Sequence, residues 1–338
     1  MDANTPTSKI SSDSLSGLVN FGDTDLLVSK YCQGTAFGVL GRSSDNPEGQ
    51  KVLEYCLDVG VNFFDSSNGY GWGGSEITLG KAVKNRRAEA IICTKIAPYE
   101  MPDTEDGDPI PAKYTAEFLT SQLDGALTRL DTDYIDLYML HHPIKDVPYE
   151  DVAQTLDSMV KSGKIRYWGV SNKDSKQLLK LMDVCRDGGY YTPVGLENCY
   201  NIANTPQGDE LFPALLRTGL GFLTCRPHLG GNLFPKDEDV SPETPAGKLI
   251  STIEEVSEEI AKPVTQVCIA WSLSNPSITC ILTCSESEAH VDDNQAGTTL
   301  ELPQEALDRL SLASKTYTDH KLTTHDHLNG RWVKKDAE

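Results

Sequence analysis

The stretch AEFLTSQLDGALTRLDTDYIDLYMLHH (116–142) carries two periodicities side by side. Over 116–130 the apolar residues Phe118, Leu119, Leu123, Leu127 and Leu130 return at three- and four-residue intervals, the spacing of one helical face. Beyond a short polar break the pattern changes. YIDLYMLHH (134–142) is a compact apolar and aromatic run, and it reads as a strand. This helix-then-strand order repeats outward in both directions. Upstream, KYCQGT (30–35), VNFFDSS (61–67) and AIICTKIA (90–97) are strand candidates; downstream come KIRYWGVSN (164–172), PVGLENCYN (193–201), GFLTCRP (221–227) and ITCILTCS (278–285). Helical patterns lie between them at 46–60, 75–83, 151–160 and 176–185, the first opened by Asn46 as N-cap and Pro47 at the first helical position. Ahead of all this, LVNFGDTDLLVS (18–29) has the form of a hairpin turning at 22–25.

Eight strands alternating with helices predict an α/β fold with a parallel sheet. Eight is also the number that closes a (β/α)8 TIM barrel, whose core usually takes about 250 residues. The expected plan is a polar lead over 1–18, the barrel over 19–313 and a polar tail over 314–338. A doubly wound open sheet competes, but it requires a G-x-G-x-x-G turn after an early strand. Gly69, Gly71, Gly73 and Gly74 cluster without that spacing, and no other stretch supplies it.

The 338 residues are 38% hydrophobic and 24% charged, with 27 Gly and 18 Pro, which is unlike disordered, collagenous or coiled-coil chains. Thirty basic against fifty acidic side chains give a net charge of −20. Such a field repels phosphate backbones and anionic lipid heads, so neither nucleic acid nor membrane is an expected partner. No stretch approaches a membrane span, and MDANTPTSKISSDSLSGL lacks the basic start and apolar run of a signal peptide. Nine cysteines, an odd number without a C-x-x-C pair, speak for a reducing, cytoplasmic compartment. His320, His325 and His327 have no Cys partners near them, and no metal site is expected.

In a barrel of this kind chemistry sits at the C-terminal ends of the strands. The polar residues there are Thr35, Asp65, Lys95, His141, Ser171, Asn172, Glu197, Arg226 and Ser285, with Tyr70 five residues beyond Asp65. Taken singly, each has an ordinary structural role: a cap for Asp65, a surface ion pair for Lys95, packing for Tyr70, a core hydrogen bond for His141. Together, an acid, a base, a histidine and a tyrosine on one rim form a chemical constellation.

That constellation and its contexts resemble the aldo-keto reductases. GVNFFDSSNGYGWGGSEITLGKAV (60–83) is similar to the family segment with the catalytic Asp and Tyr, ICTKIAP (92–98) to the strand-end Lys, YIDLYMLHHP (134–143) to the strand-end His, and GKIRYWGVSN (163–172) to the Ser-Asn cofactor segment. The resemblance runs from about Leu26 to about Asn294. It implies a (β/α)8 barrel closed below by a hairpin, and reversible hydride transfer between a nicotinamide and a small carbonyl, alcohol or sugar. By resemblance Tyr70 is the proton donor, Lys95 lowers its pKa, Asp65 holds Lys95, and His141 orients the carbonyl oxygen. Tyr70, Trp72, His141 and His142 are the implied substrate-pocket residues.

The implied cofactor residues are Gly34, Thr35, Asp65, Ser171 and Asn172, then Glu197, Cys225, Arg226, Pro227, Leu229 and Lys236, and at the adenosine end Ser285, Glu286, His290, Asp293 and Asn294. Three departures from the family pattern stand out. Glu197 replaces a usual Gln, and an ionised Glu only accepts hydrogen bonds. Cys225 stands where an aromatic usually stacks on the nicotinamide, with Arg226 beside it. Cys284, Glu286 and His290 occupy places that are often basic, leaving Lys236 as the main cation for a 2′-phosphate. An acidic residue near a ribose favours the 2′-hydroxyl; the expectation is therefore NADP(H) or NAD(H), with dual or NAD-leaning use. Glu286 also has a purely structural reading as the cap of a helix starting at Ser287. The function expected is an aldo-keto reductase acting on an aldehyde, ketone or sugar hemiacetal. The alternative is a nicotinamide-binding regulatory subunit or redox sensor, motivated by Glu197, Cys225 and Arg226.

Overall fold

The computed structural model describes residues 17–37, 44–100, 108–206, 208–227, 234, 238–328 and 331–335. Eight strands form its centre: β1 (Tyr31–Gly34), β2 (Phe63–Ser67), β3 (Ile91–Ile96), β4 (Ile135–Leu140), β5 (Ile165–Ser171), β6 (Gly195–Cys199), β7 (Gly221–Cys225) and β8 (Cys280–Thr283). They pair in chain order, each parallel to its predecessor, and β8 returns to β1 to close the barrel. Each lies within one of the eight runs read from the sequence.

The surrounding helices are α1 (Pro47–Asp58), α2 (Gly74–Val83), α3 (Ala116–Leu130), α4 (Tyr149–Lys161), α5 (Ser175–Gly188), α6 (Gly208–Thr218), α7 (Pro245–Glu259), α8 (Val264–Leu273), α9 (Glu288–Gly297) and α10 (Gln304–Thr324). Local chemistry sets their ends. The Asn46 side chain accepts from the Gly49 N–H at 3.0 Å, so α1 begins where the cap and Pro47 predict. Thr115 caps α3 through the Phe118 N–H, and Asp131, left-handed at φ 51°, stops it and turns the chain into β4.

An antiparallel hairpin, Leu18–Asn20 with Leu27–Ser29, lies across the bottom of the barrel. Phe21, Leu26 and Val28 are fully buried against the lumen residues Cys32, Phe63, Cys93, Leu137, Met139, Leu223 and Cys280. The Phe21 ring meets Phe63 edge-on at 5.5 Å between centroids. Glycine is required at the first positions of β6 and β7: a Cβ on Gly195 or Gly221 would stand 2.4 or 2.8 Å from the Phe21 ring. A second core fills the space between strands and helices. Near the floor the buried Asp136 carboxylate accepts from Arg87 at 2.8 Å, Arg166 at 2.9 Å and the Ile92 N–H at 3.0 Å, tying β3, β4 and β5 together.

One feature differs from the sequence expectation. The break drawn after residue 313 falls inside α10, whose Ser314, Tyr317, Thr318 and Lys321 are buried; this helix packs along α7 and is followed by a short antiparallel pair, His325–Leu328 with Arg331–Lys334. The loop over 98–114 contains a small pairing of Tyr99–Glu100 with Ile110–Pro111, and residues 101–107 between them lie outside the described residues. Among the described residues no helix is long and apolar enough to cross a membrane.

The floor makes the hairpin part of the fold rather than an appendage. Phe21→Ala is expected to lower unfolding free energy by about 3–5 kcal/mol, the usual cost of a core Phe truncation. Urea denaturation measures it; a loss below about 1 kcal/mol would show that the plug carries little of the stability.

Candidate active site

At its bottom the barrel is lined by apolar groups and the hairpin plug; one layer higher the inward-pointing side chains become charged. Asp65 on β2, Lys95 on β3 and Glu197 on β6 meet there. The Lys95 ammonium donates to Asp65 and stands 3.1 Å from Glu197 Oε2, and none of the three side chains is more than 5% exposed. Burial works against the Lys95 charge, but the two carboxylates outweigh it and hold its pKa well above the ordinary value. Two carboxylates share this one ammonium. Burial pushes both upward, Asp65 above its usual range and Glu197 to about 7, with their mutual repulsion adding to the Glu197 shift.

Tyr70 stands above the lysine. It follows β2 and opens a tight turn in which Gly71, Trp72 and Gly73 all take left-handed conformations, φ 55°, 48° and 89°. Glycine does this freely, whereas a bulky Trp does so at a cost. The turn aims the Tyr70 ring at Lys95, 5.4 Å from ammonium to centroid, and edge-on to His141 at 5.8 Å. Among the described residues none takes up the Tyr70 hydroxyl in a hydrogen bond. Burial raises the Tyr70 pKa more than Lys95 lowers it, so the phenol is neutral at neutral pH. His141 is also held neutral: burial, then the Lys95 charge, push its pKa well below the ordinary value. Its Nδ1 lies 3.3 Å from Ser67 Oγ, which itself accepts from the Gly69 N–H at 3.2 Å. The Ser67 hydroxyl is shared between Nδ1 and Asn68 Oδ1, at 3.4 Å; when it donates to Nδ1 the imidazole proton lies on Nε2. The exposed His142 ring stacks on His141 at 4.9 Å, and Trp72 meets Tyr99 edge-on at 5.8 Å.

Residues from β5, β6 and β7 border this cluster. Ser171 is buried at the end of β5; Asn172, left-handed at φ 56°, donates to the His141 carbonyl at 2.8 Å and to Ser171 Oγ at 3.1 Å. Cys225 ends β7 half-buried, Arg226 after it is exposed and left-handed at φ 59°, and Pro227 is buried. Leu229 and Lys236 lie outside the described residues. On the other side Thr35 is completely buried, its hydroxyl donating to the Asp65 carbonyl and pairing with Ser75. At Gly34 a Cβ would approach Leu282 at 3.3 Å.

The residues expected at the adenosine end divide into two groups. Ser285 is buried, its hydroxyl held between Tyr31 at 2.7 Å and Asn294 at 2.9 Å, and both Asp293 oxygens are taken by Thr265 and Gln266 at the start of α8. Glu286 and His290 are exposed around the N-terminus of α9. The cap of that helix is Ser287, which accepts from the His290 N–H at 3.3 Å, so the structural reading of Glu286 as the cap is replaced.

Sequence reading passed over four contributors to this end of the barrel. Ser67 reaches His141, and Lys173, buried directly after Asn172, donates to the His142 carbonyl at 3.1 Å while burial lowers its pKa to about 7. Glu76, completely buried on α2, takes Thr94 of β3 at 2.7 Å and Arg129 of α3 at 2.7 Å, fixing the helix that follows the Tyr70 turn. Cys199 stands opposite Cys225 in the β6–β7 ladder. Ser67 lies inside a quoted motif and Lys173 directly follows one, which is the signal that could have found them; Glu76 and Cys199 also lie within quoted stretches, but their roles depend on contacts between distant segments.

A closed parallel barrel with an Asp–Lys pair, a Tyr and a neutral His converging above an apolar plug defines a TIM-barrel oxidoreductase. The chain belongs to the aldo/keto reductase family, whose sequence model matches residues 32–314. It is 28% identical over 309 residues to an uncharacterized oxidoreductase of Bacillus subtilis strain 168, spanning 86% of this chain and 93% of that one. It is also 26% identical over 298 residues to a probable voltage-gated potassium channel subunit beta of Oryza sativa subsp. japonica, spanning 81% and 89%. Among solved structures, a thermostable aldo-keto reductase crystallised with the inhibitor epalrestat superposes with a TM-score of 0.74 at 25% identity, covering 88% of this chain and 99% of that one.

The shared ammonium has a consequence for stability. Glu197 ordinarily titrates near 4.5 and is pushed to about 7 in the folded chain, so the folded state binds the extra proton and the wild type loses stability as pH rises through that window. Glu197→Gln removes the titration. Its stability relative to wild type is expected to grow by roughly 2 kcal/mol between pH 4.5 and pH 7 and then to level off. Urea unfolding of both proteins across this range measures it; a difference independent of pH would rule out the elevated carboxyl.

Proposed function

We propose that this chain is a nicotinamide-dependent enzyme of the CH–OH/C=O class that interconverts a small aldehyde, ketone or sugar hemiacetal and the matching alcohol, with Tyr70 as general acid and base. The observation that carries the reading is the neutral Tyr70 phenol aimed between the Lys95 ammonium and the neutral His141 imidazole. The residues around it suit a nicotinamide: buried Glu197 Oε2 is ion-paired with Lys95 at 3.1 Å and has no other polar partner among the described residues, so it can accept from a carboxamide NH2 beside Ser171 and Asn172. When bound, the dinucleotide supplies or accepts the hydride.

The chain's own groups would do the rest. His141 Nε2–H positions the carbonyl oxygen and withdraws charge from it. As negative charge develops on that oxygen, Tyr70 gives up its proton, and Lys95 stabilises the phenolate left behind. Asp65 and Glu197 keep Lys95 charged throughout. In the oxidative direction the phenolate takes the alcohol proton back. Trp72, Tyr99 and His142 form an aromatic wall for the substrate. The relatives include a versiconal hemiacetal acetate reductase of Aspergillus parasiticus, 25% identical over 298 residues, which supports a carbonyl or hemiacetal substrate class. The nine reduced cysteines agree with a cytoplasmic setting.

At the cofactor's far end, Cys284, Glu286 and His290 carry dual or NAD-leaning use, because the exposed Glu286 disfavours a 2′-phosphate. A second reading, a nicotinamide-binding regulatory subunit with slow turnover, draws support from the potassium channel subunit relative and from Glu197 and Cys225. The intact Asp65, Tyr70, Lys95 and His141 cluster favours the enzyme.

Absorbance at the reduced-nicotinamide band, with NADH and NADPH in parallel against an aldehyde and sugar panel, separates these readings. Multiple turnover supports the enzyme; a retained cofactor reacting at most once per chain supports the regulatory subunit. Tyr70→Phe is expected to bind dinucleotide as wild type does and to lose about a hundredfold or more in turnover. Unchanged turnover in this variant would overturn the assignment. Glu286→Arg is expected to shift the NADPH/NADH ratio of kcat/KM toward NADPH by about fivefold to tenfold, the effect of one partly exposed charge reversal. A ratio that does not move would place the 2′-position away from Glu286.

A further inference from the structure

Three of the nine cysteines are half-buried rather than buried: Cys199, Cys225 and Cys284. Two of these face each other. Cys199 and Cys225 are the last residues of β6 and β7 and are direct partners in the parallel ladder. Adjacent strands run about 4.8 Å apart, inside the range of about 4.4–6.8 Å between the Cα atoms of a disulfide. Each lies two residues beyond an inward-pointing neighbour, Glu197 on β6 and Leu223 on β7, so both sulfurs belong to the lumen side, one layer above Lys95. Cys284, by contrast, packs toward the outer core on the far side of β8.

The two sulfurs are also chemically unequal. Asn204 Nδ2 donates to Cys199 Sγ at 3.2 Å, and Asn201 Nδ2 stands 3.9 Å from the same sulfur. Amide donors on sulfur favour its thiolate. Cys225 lies within hydrogen-bonding reach of Cys199, and that contact together with burial raises the Cys225 pKa well above the ordinary value. Cys199, which receives the amide contacts, is the sulfur placed to act as nucleophile, and Cys225 stands beside it as its partner. Burial pushes the Cys284 thiol up to about 12.

We propose that Cys199 and Cys225 are an oxidant-reactive dithiol that closes reversibly into a disulfide across the mouth of the barrel, with hydrogen peroxide or an organic hydroperoxide as the oxidant. The Cys199 thiolate attacks a peroxide oxygen; the S–O bond forms, the O–O bond breaks, and the departing oxygen takes a proton to leave as water or alcohol. Cys225 sulfur then attacks the sulfenic sulfur; the S–S bond forms, the S–O bond breaks, and water leaves with the Cys225 proton. The dithiol loses two electrons and the peroxide gains them. Dithiol reductants reverse the step by thiol–disulfide exchange. The bond stands beside Glu197, so the oxidised protein holds a nicotinamide less tightly; this last consequence rests on the cofactor reading above, while the disulfide itself does not.

The test uses the full-length reduced protein, treated with a small excess of hydrogen peroxide and then alkylated under denaturing conditions. Free thiols are expected to fall by two of nine, a non-reducing digest is expected to contain a Cys199–Cys225 cross-linked peptide, and dithiothreitol is expected to restore both thiols. In Cys225→Ser the same treatment is expected to leave Cys199 as a sulfenic acid that dimedone traps, a readout that does not need the cross-link. NADPH and NADH titrations by protein fluorescence, before and after oxidation, are expected to show at least a tenfold rise in Kd that dithiothreitol reverses. A cross-link through any other cysteine, or peroxide consumption leaving Cys199 and Cys225 both reduced, overturns the proposal. A Cys199–Cys225 cross-link in a protein that binds neither dinucleotide when reduced upholds the thiol pair and removes the cofactor reading instead.

Discussion

A lysine ammonium taken wholly out of water survives only where fixed negative charge replaces its hydration. In this barrel that replacement comes from Asp65 and Glu197, and the requirement reaches far beyond the three residues. The carboxylates sit on β2 and β6, nearly opposite each other around the ring, and the lysine on β3 reaches between them. Their meeting depends on the ring being closed, and closure depends on the plug that fills its floor. Without Phe21 and its neighbours beneath, the lumen would admit water to the charge layer, and the shifts that define the site would relax. The hairpin and the charged cluster are therefore two ends of one column through the barrel.

Backbone strain gathers at the upper end of that column. Trp72, Asn172 and Arg226 follow β2, β5 and β7 and all hold left-handed φ values that an L-residue with a side chain adopts at a cost of order 1–3 kcal/mol. Asn tolerates this better than Trp or Arg, through the local hydrogen bonds of its short side chain. In each case the unusual φ redirects the chain just past a strand end, where the polypeptide must leave the ladder and still present a side chain to the mouth. The Tyr70 turn makes the use plain: two glycines flank Trp72, and the result is a phenol aimed at Lys95. Buried Glu76, clamped by Thr94 and Arg129, anchors the helix that follows and so holds the turn in place.

Strand-by-strand, the barrel was legible because parallel strands covered by helices bury both faces, and YIDLYMLHH or AIICTKIA then stand out as compact runs dominated by β-branched, aromatic and other apolar residues. The order Asp65, Tyr70, Lys95, His141 was legible for the same reason: each lies within or just beyond the C-terminal half of a recognisable strand. What stayed hidden depends on registration between segments. Cys199 and Cys225 are 26 residues apart in the chain and become partners only through the β6–β7 ladder. Ser67 reads as one more strand residue until β4 brings His141 alongside it. The length of α10 was missed because its buried set, Ala306, Leu310, Ser314, Tyr317, Thr318 and Lys321, is half polar. A helix packed partly through serine, threonine and the stem of a lysine has too few apolar residues to show a clear stripe. Lys95 does pull the Tyr70 pKa down, as the resemblance implies, while burial, which no single motif displays, raises it by more.

Two of the three departures from the family pattern lie together. Glu197 and Cys199 are alternate residues on one face of β6, and Cys225 faces Cys199 from β7, so the unusual carboxylate and the unusual thiol form one patch beside Ser171 and Asn172. The Asp–Tyr–Lys–His cluster across the lumen keeps its residue types. Physical constraint explains the division. A proton moves only over a hydrogen bond of fixed length, so groups that handle it tolerate little change. Holding a flat, charged ring is a distributed task, in which one stacking or hydrogen-bonding partner can be exchanged for another with a change in affinity rather than a loss of chemistry. On the proposed cofactor reading, a carboxylate and two thiols at that position would make the grip on the ring depend on proton and electron availability, which an amide and aromatic pairing would not.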